Sequence, residues 1–195
     1  MTPRCKTRGM TSTSDADQPH VHSDTAADPA CAMAHGELPA PTAGRRLVAV
    51  FASPMAFELA HIATHVGYEV LILEPDLDGP RASVPHVRDA DAAALDEDTD
   101  VVVTDHDRPE LGDVLAAVLE QTPRWVGVMG SPRHTAPHVS ALRERGVSDV
   151  DIARVHRPIG LDIGSRSPAE IAVATVAGLL ADRNGRSGGS YETTD

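Results

Sequence analysis

From Arg45 onward, short all-apolar runs alternate with stretches whose apolar residues recur at helical spacing. Leu47-Val48-Ala49-Val50-Phe51, Glu69-Val70-Leu71-Ile72-Leu73, Asp100-Val101-Val102-Val103-Thr104 and Trp125-Val126-Gly127-Val128-Met129 each predict a buried strand. Between the first two, Ser53-Pro54 reads as an N-cap followed by proline at the first helical position, where its missing N–H costs nothing. Met55, Leu59, Ile62 and Val66 then share one face, and Gly67 stops the helix. Pro109 opens a second helix carrying Leu111, Val114, Leu115, Val118 and Leu119 on one face. Gly130-Ser131-Pro132 predicts the start of a third, running to Arg145 before Gly146, with Pro137 as an internal kink. Ser167-Pro168-Ala169-Glu170 is a capping box that starts the last helix at Pro168. That helix is apolar on more than one face, which fits burial on two sides or a subunit contact. Residues 76–99 hold Pro80, Pro85 and many acids, with room for one short strand around Val84 to Val87.

This rhythm is that of an α/β protein with a Rossmann-like, doubly wound, mostly parallel sheet covered on both faces. The expected organisation is a disordered polar leader over residues 1–44, a single domain over 45–182 and a flexible tail over 183–195. The leader is rich in Ser, Thr, Asp, Pro, Ala and His and carries too little apolar surface to offset the entropy of ordering it.

Charge and cysteine content narrow the function. Of the 195 residues, 29 are acidic and 17 basic, for a formal net charge of -12, so a broad nucleic-acid or anionic-membrane surface is excluded. No apolar run approaches ~18 residues and no secretory h-region is present, so a cytoplasmic protein is expected. Cys5 and Cys31 both lie in the leader, near His20, His22 and His35, and no zinc-ligand spacing recurs there. His61 and His65 stand four apart on the face opposite the apolar stripe, which reads as a solvated face. His134 and His138 straddle Pro137, which spoils chelating geometry.

In open parallel sheets ligands bind beyond the carboxyl ends of the strands. The loops expected there are Ala52-Ser53-Pro54, Glu74-Pro75-Asp76, Asp105-His106-Asp107 and Gly130-Ser131-Pro132-Arg133, joined by the polar loop His156 to Gly164. The first turn has no glycine, so it offers at most Ser53 and a helix N-terminus to one phosphate. Glu74 or Asp76 either accepts a hydrogen bond from a ribose hydroxyl or is a strand-end acid in solvent. Gly130, Ser131 and Arg133 form the stronger phosphate candidate, because a helix start and a guanidinium add positive potential. Gly164-Ser165-Arg166-Ser167 follows the same logic, and Arg157 and Arg166 concentrate positive charge nearby. His106, between two carboxylates, is a candidate proton donor, while Asp107 serves as a cap for the helix after Pro109. His156 and Asp162 form either an acid–base pair or a buttress of their loop.

Three of these segments together resemble a known family. They are Gly127 to Arg133, the Leu142-Arg143-Glu144-Arg145-Gly146 helix end, and His156 to Gly164 followed by Ser167 to Val173. They are similar to the C-terminal Rossmann domain of the XdhC/CoxI family, accessory factors for xanthine dehydrogenase and other molybdenum hydroxylases, and Ile159-Gly160-Leu161-Asp162-Ile163-Gly164 is the most specific part. The resemblance covers about Arg45 to Asp182. It implies a protein that binds the molybdenum cofactor (molybdopterin, or its dinucleotide form), protects it while a cysteine desulfurase supplies sulfur, and helps insert it into an apo molybdenum hydroxylase. It implies a chaperone rather than an enzyme with its own turnover. The cofactor-binding set expected on this basis is Ser53, Glu74, His106, Gly130, Ser131, Arg133, His156, Gly160, Asp162 and Gly164, with no catalytic and no metal-ligating residue. Family members usually carry a preceding domain with a cysteine for cofactor handling. The leader occupies that place here, so a separately encoded partner with that domain is an expected partner, alongside a homodimer. The alternatives are an NAD(P)-binding oxidoreductase and a module that docks on a partner through its last helix.

Overall fold

The computed structural model describes Met33 and residues 44–76, 84–131, 133 and 136–189. The readings made for Cys5, His20, His22, Cys31, His35, Pro80, Pro132 and His134 lie outside these residues.

Six strands form one sheet: β1 (Arg46–Val50), β2 (Glu69–Leu73), β3 (His86–Val87), β4 (Thr99–Val103), β5 (Trp125–Val128) and β6 (Val155–His156). Their order is β3-β2-β1-β4-β5-β6 and every pairing is parallel. The helices are α1 (Pro54–His65), α2 (Ala90–Ala93), α3 (Leu111–Glu120), α4 (Pro137–Glu144), α5 (Asp149–Ile152) and α6 (Pro168–Arg183).

The strand residues are divided between two cores by the period of two. Val48, Val50, Val101, Val103, Val126 and Val128 point to the face covered by α2, α3 and α4, where Leu111, Leu115, Val118 and Leu142 meet them. Leu47, Ala49, Ile72 and Val102 point to the opposite face, against Ala56, Leu59, Ala60 and Ala63 of α1 and Ala172, Val176 and Leu179 of α6. Small residues on α1 and α6 let these two helices pack closely on each other as well as on the sheet. Each fully buried leucine contributes roughly 1.5–3 kcal/mol from apolar burial.

The four long strands and the first and last helices lie where periodicity puts them, and Ser53 and Ser167 cap their helices as expected. Four local differences have physical causes. The helix expected from Gly130 begins only at Pro137, so Pro137 is its first residue and not an internal kink. Helix α3 starts at Leu111 rather than Pro109; its N-cap Glu110 makes no side-chain capping bond. Asp107 is not a cap: its own N–H donates to Asp105 Oδ1 at 3.0 Å. Elements α2, α5 and β6 are only two to four residues long, too short to show a period, and the sequence reading passes over all three. Helix α6 is buried along one side, while Ile171 and Val173 remain exposed. Among the described residues no helix is long and apolar enough to cross a membrane.

Candidate functional site

The chain leaves β1 towards β2 and β3 on one side, then returns to lay β4, β5 and β6 on the other. The reversal makes the carboxyl ends of β1 and β4 the topological switch point, the usual ligand crevice of such sheets. Two hydrogen-bonded clasps cross it.

The first joins Ser53 to Thr104 at 2.8 Å. Thr104 Oγ1 lies 3.0 Å from both the Val50 and Phe51 carbonyls and donates its single proton to them. Ser53 Oγ must therefore donate to Thr104. Ser53 Oγ also accepts the Ala56 N–H at 3.1 Å, as the N-cap of α1. Its proton and one lone pair are thus committed.

The second clasp centres on Glu74, which is 5% exposed. Its Oε2 accepts the Ala52 N–H at 2.8 Å and its Oε1 accepts the Asp76 N–H at 3.0 Å. The Arg108 guanidinium donates to both oxygens, at 3.1 and 3.3 Å. Glu74 is therefore neither a solvated strand-end acid nor free for a ribose hydroxyl. Arg108 also pairs with Glu110 at 3.2 Å and lies 4.9 Å from the centre of the Phe51 ring. Hydrogen bonds to Glu110 and then Glu74 raise the Arg108 pKa against the opposing effect of burial. The Glu110 carboxyl is held below its ordinary range by the same guanidinium. Phe51 sits at φ 71, in the left-handed region a glycine would occupy without strain, and its ring is fully buried.

On the β5–β6 side, the Gly130-Ser131 bend does not lead into a helix N-terminus, so the expected helix-dipole contribution is absent there. What it meets instead is Arg157, from the end of β6. Arg157 Nη2 donates to the Ser131 carbonyl at 3.4 Å. A Cβ on Gly130 would stand 2.5 Å from that guanidinium, so the glycine is what admits the arginine. Arg133 is exposed in the following turn, with its N–H on Ser131 Oγ at 3.2 Å. His138, in the first turn of α4, is 3% exposed, and its Nδ1 is buried with no hydrogen-bond partner. Desolvation, reinforced by the positive charge of Arg157, lowers its pKa.

The loop after β6 is built differently from its expected role. His156 belongs to β6 and stacks on Trp125, with ring centres 5.0 Å apart and planes 5° from parallel. Asp162 is exposed, and the His156 ring is engaged with Trp125. Gly160, at φ +83, lies against α6: a Cβ there would approach the Thr175 N at 3.1 Å, and Gly178 faces it across the contact. The Leu161 N–H donates to the Ala174 carbonyl at 3.0 Å, docking the loop to the helix. Gly164 is in open space. At the start of α6 the Glu170 carboxylate already takes the Arg166 and Ser167 N–H groups, at 2.5 and 3.2 Å. The anion expected at that helix start is thus supplied by the chain itself.

The structure therefore gathers Ser53 and Glu74 at the switch point, with His106 on the neighbouring loop, its ring 3.8 Å from the exposed Asp107 carboxylate. It gathers Gly130 and Ser131 with Arg157 at the β5–β6 end. His156 and Gly160 serve packing. Thr104, Arg108 and His138 are absent from the expected set. A threonine at a strand end and an arginine after Asp105-His106-Asp107 carry no motif, and His138 is disguised by the apparent kink at Pro137. His61 and His65 are exposed, with the His65 ring bonded to the His61 carbonyl. Among the described residues no cluster of His, Cys, Asp or Glu could hold a metal ion.

Residues 47–179 match the family described as the XdhC Rossmann domain. The chain belongs to the XdhC Rossmann-domain family. The match spans every strand of the sheet and both clasps. The chain is 31% identical over 153 residues to the uncharacterized protein YqeB of Escherichia coli (strain K12), an alignment that takes in 74% of this chain. It spans only 28% of that relative's length. A crystal structure described as a xanthine dehydrogenase from Bacillus halodurans superposes with a TM-score of 0.57 at 24% identity, covering 72% of this chain and 45% of that one. That likeness is one of fold.

Proposed function

We propose that this XdhC-type chain is an accessory protein that binds the molybdenum cofactor during maturation of a xanthine dehydrogenase-type molybdenum hydroxylase. The observation that carries the reading is the family match across the whole sheet, joined to the placement of Arg157 beside Gly130 and Ser131 at the carboxyl edge of an otherwise acidic protein. When bound, the cofactor supplies the redox chemistry of the recipient enzyme.

The residues fit the phosphate-bearing end of such a molecule. Arg157 offers a guanidinium, seated in the space that the missing side chain of Gly130 leaves. The buried His138 Nδ1 lacks a protein partner, a deficit that costs free energy unless a ligand or water meets it. Arg157, Ser131 and His138 would hold the phosphate, with Arg133 adding charge at the rim. An acid already buried under Arg108 and backbone N–H groups at the first turn speaks against an NAD(P)-type oxidoreductase, whose ribose and pyrophosphate need those groups.

The partners on this reading are an apo molybdenum hydroxylase and a cysteine desulfurase. Removing the gene from a host that makes a molybdenum hydroxylase tests it. The expected result is a hydroxylase protein at normal abundance but deficient in sulfurated cofactor, restored by the full chain. Undiminished sulfurated cofactor in the deletion strain overturns the reading.

A further inference from the structure

We propose that the cavity between α1 and the start of β2 binds a small organic cation, an ammonium group carried on an apolar body. The site lies on the sheet face that α1 covers, at the amino end of β2, and is independent of the cofactor reading above.

The room follows from the topology. Right-handed crossovers that step outward in one direction fall on one face of a parallel sheet. The step from β1 to β2 places α1 there. Among the described residues no helix follows between β2 and β3, so the face beyond α1 is open. A cavity of about 640 Å³ stands there, a size ordinary for small-molecule sites. Its apolar walls are Phe57 and Ala60 of α1, Val70 of β2, and Val84 and Pro85 ahead of β3.

The polar groups of the wall select the ligand. Thr64 Oγ1 gives its proton to the Ala60 carbonyl at 2.8 Å, so it has only lone pairs left to offer. His65 Nδ1 lies 2.7 Å from the His61 carbonyl, which can only accept. Nδ1 therefore carries a proton, and Nε2 of the neutral ring is an acceptor. The Tyr68 hydroxyl donates to Asp100 at 3.1 Å and is spent. Glu69 borders the cavity at the exposed start of β2, and among the described residues no base pairs with it. The His61 ring can take either role. No lysine or arginine is among the described lining residues. Helix α1 ends at His65, so the negative pole of its dipole is at the same end. An ammonium group brings the donors and the charge this wall lacks, while an anion would meet acceptors and a negative pole. The apolar walls take the hydrocarbon.

The test titrates the full chain with two probes of similar shape and opposite charge, phenethylamine and hydrocinnamate, followed in ¹⁵N-correlated spectra. The amine is expected to give saturable shifts centred on the amides of Ala60, Thr64, His65 and Val70, with an affinity at least tenfold above that of the acid. Glu69→Gln and His65→Leu change exposed positions, so Tm is expected to hold while each weakens the amine at least threefold. Absent or non-saturating shifts, shifts centred elsewhere, equal affinity for the acid, or amine binding indifferent to both substitutions overturns the proposal.

Discussion

Ser53 and Thr104 share a hydrogen bond of 2.8 Å across the point where the sheet reverses its strand order. It joins the cap of α1 to the end of β4, so the two halves of the doubly wound sheet are tied at the rim where a ligand would enter. Replacing Thr104 by valine keeps the volume and removes the hydroxyl. Ser53 then loses its acceptor, and the Val50 and Phe51 carbonyls lose a donor. The expected cost is about 1–2 kcal/mol, or roughly 2–8 °C in Tm, measured by calorimetry. An unchanged Tm would mean the clasp contributes nothing.

At the opposite edge, Asp100 is fully buried among Arg124, Arg183 and Tyr68, at 2.6, 2.9 and 3.1 Å. Arg183 is the last residue of α6, so this group anchors the helix on which the loop after β6 docks. Asp100→Asn takes the carboxylate from Arg183 and leaves Arg124 with Asp182 alone. Breaking such a buried pair costs about 3–5 kcal/mol. Hydrogen exchange is expected to rise first in α6, and urea unfolding to shift accordingly.

Tyr68 gives that network a pH signature. Desolvation, and then the Asp100 charge, push its phenol up to about 12 from an ordinary 10. The native state thus holds a proton that the unfolded chain gives up. The associated stability is complete below pH 10 and is lost as pH rises from 10 towards 12. Tyr68→Phe is expected to remove that alkaline loss, read from denaturation midpoints across this range.

His138 should act in the other direction. Burial and Arg157 depress its pKa below 6.5. In the unfolded chain the ring takes up a proton near 6.5, while the native ring takes one up only at lower pH. Stability is therefore intact above that pH and declines as pH falls below it. His138→Gln is expected to flatten the decline, and phosphate to oppose it in wild type by favouring the charged ring.

Gly160→Ala tests the packing role of the loop after β6. The position has φ +83, and an added Cβ would stand 3.1 Å from the Thr175 nitrogen, so a methyl group is strained twice over. A loss of about 1–3 kcal/mol is expected, with exchange rising between Ile159 and Leu161.

The layered fold was legible because each long strand is an unbroken apolar run and each long helix has a cap and a stripe. The capping box at Ser167 was readable residue by residue. The site was less so. Glycines and serines at loop ends look alike whether they face a ligand or a neighbouring helix, and Gly130 and Gly160 turn out to differ in that respect. Glu74 looks like a ribose acid until its partners are seen, because Ala52 and Arg108 are 22 and 34 residues away in the chain. The start of α4 was misplaced because a proline at the first helical position and a proline inside a helix read the same when Gly-Ser-Pro stands a few residues earlier.

The most direct measurement of the central claim is the molybdenum and pterin that stay with the purified full chain after incubation with molybdopterin and gel filtration. Near-stoichiometric retention, reduced at least tenfold by Arg157→Ala at unchanged Tm, is the predicted result. No retention by wild type, or retention indifferent to Arg157, would contradict it.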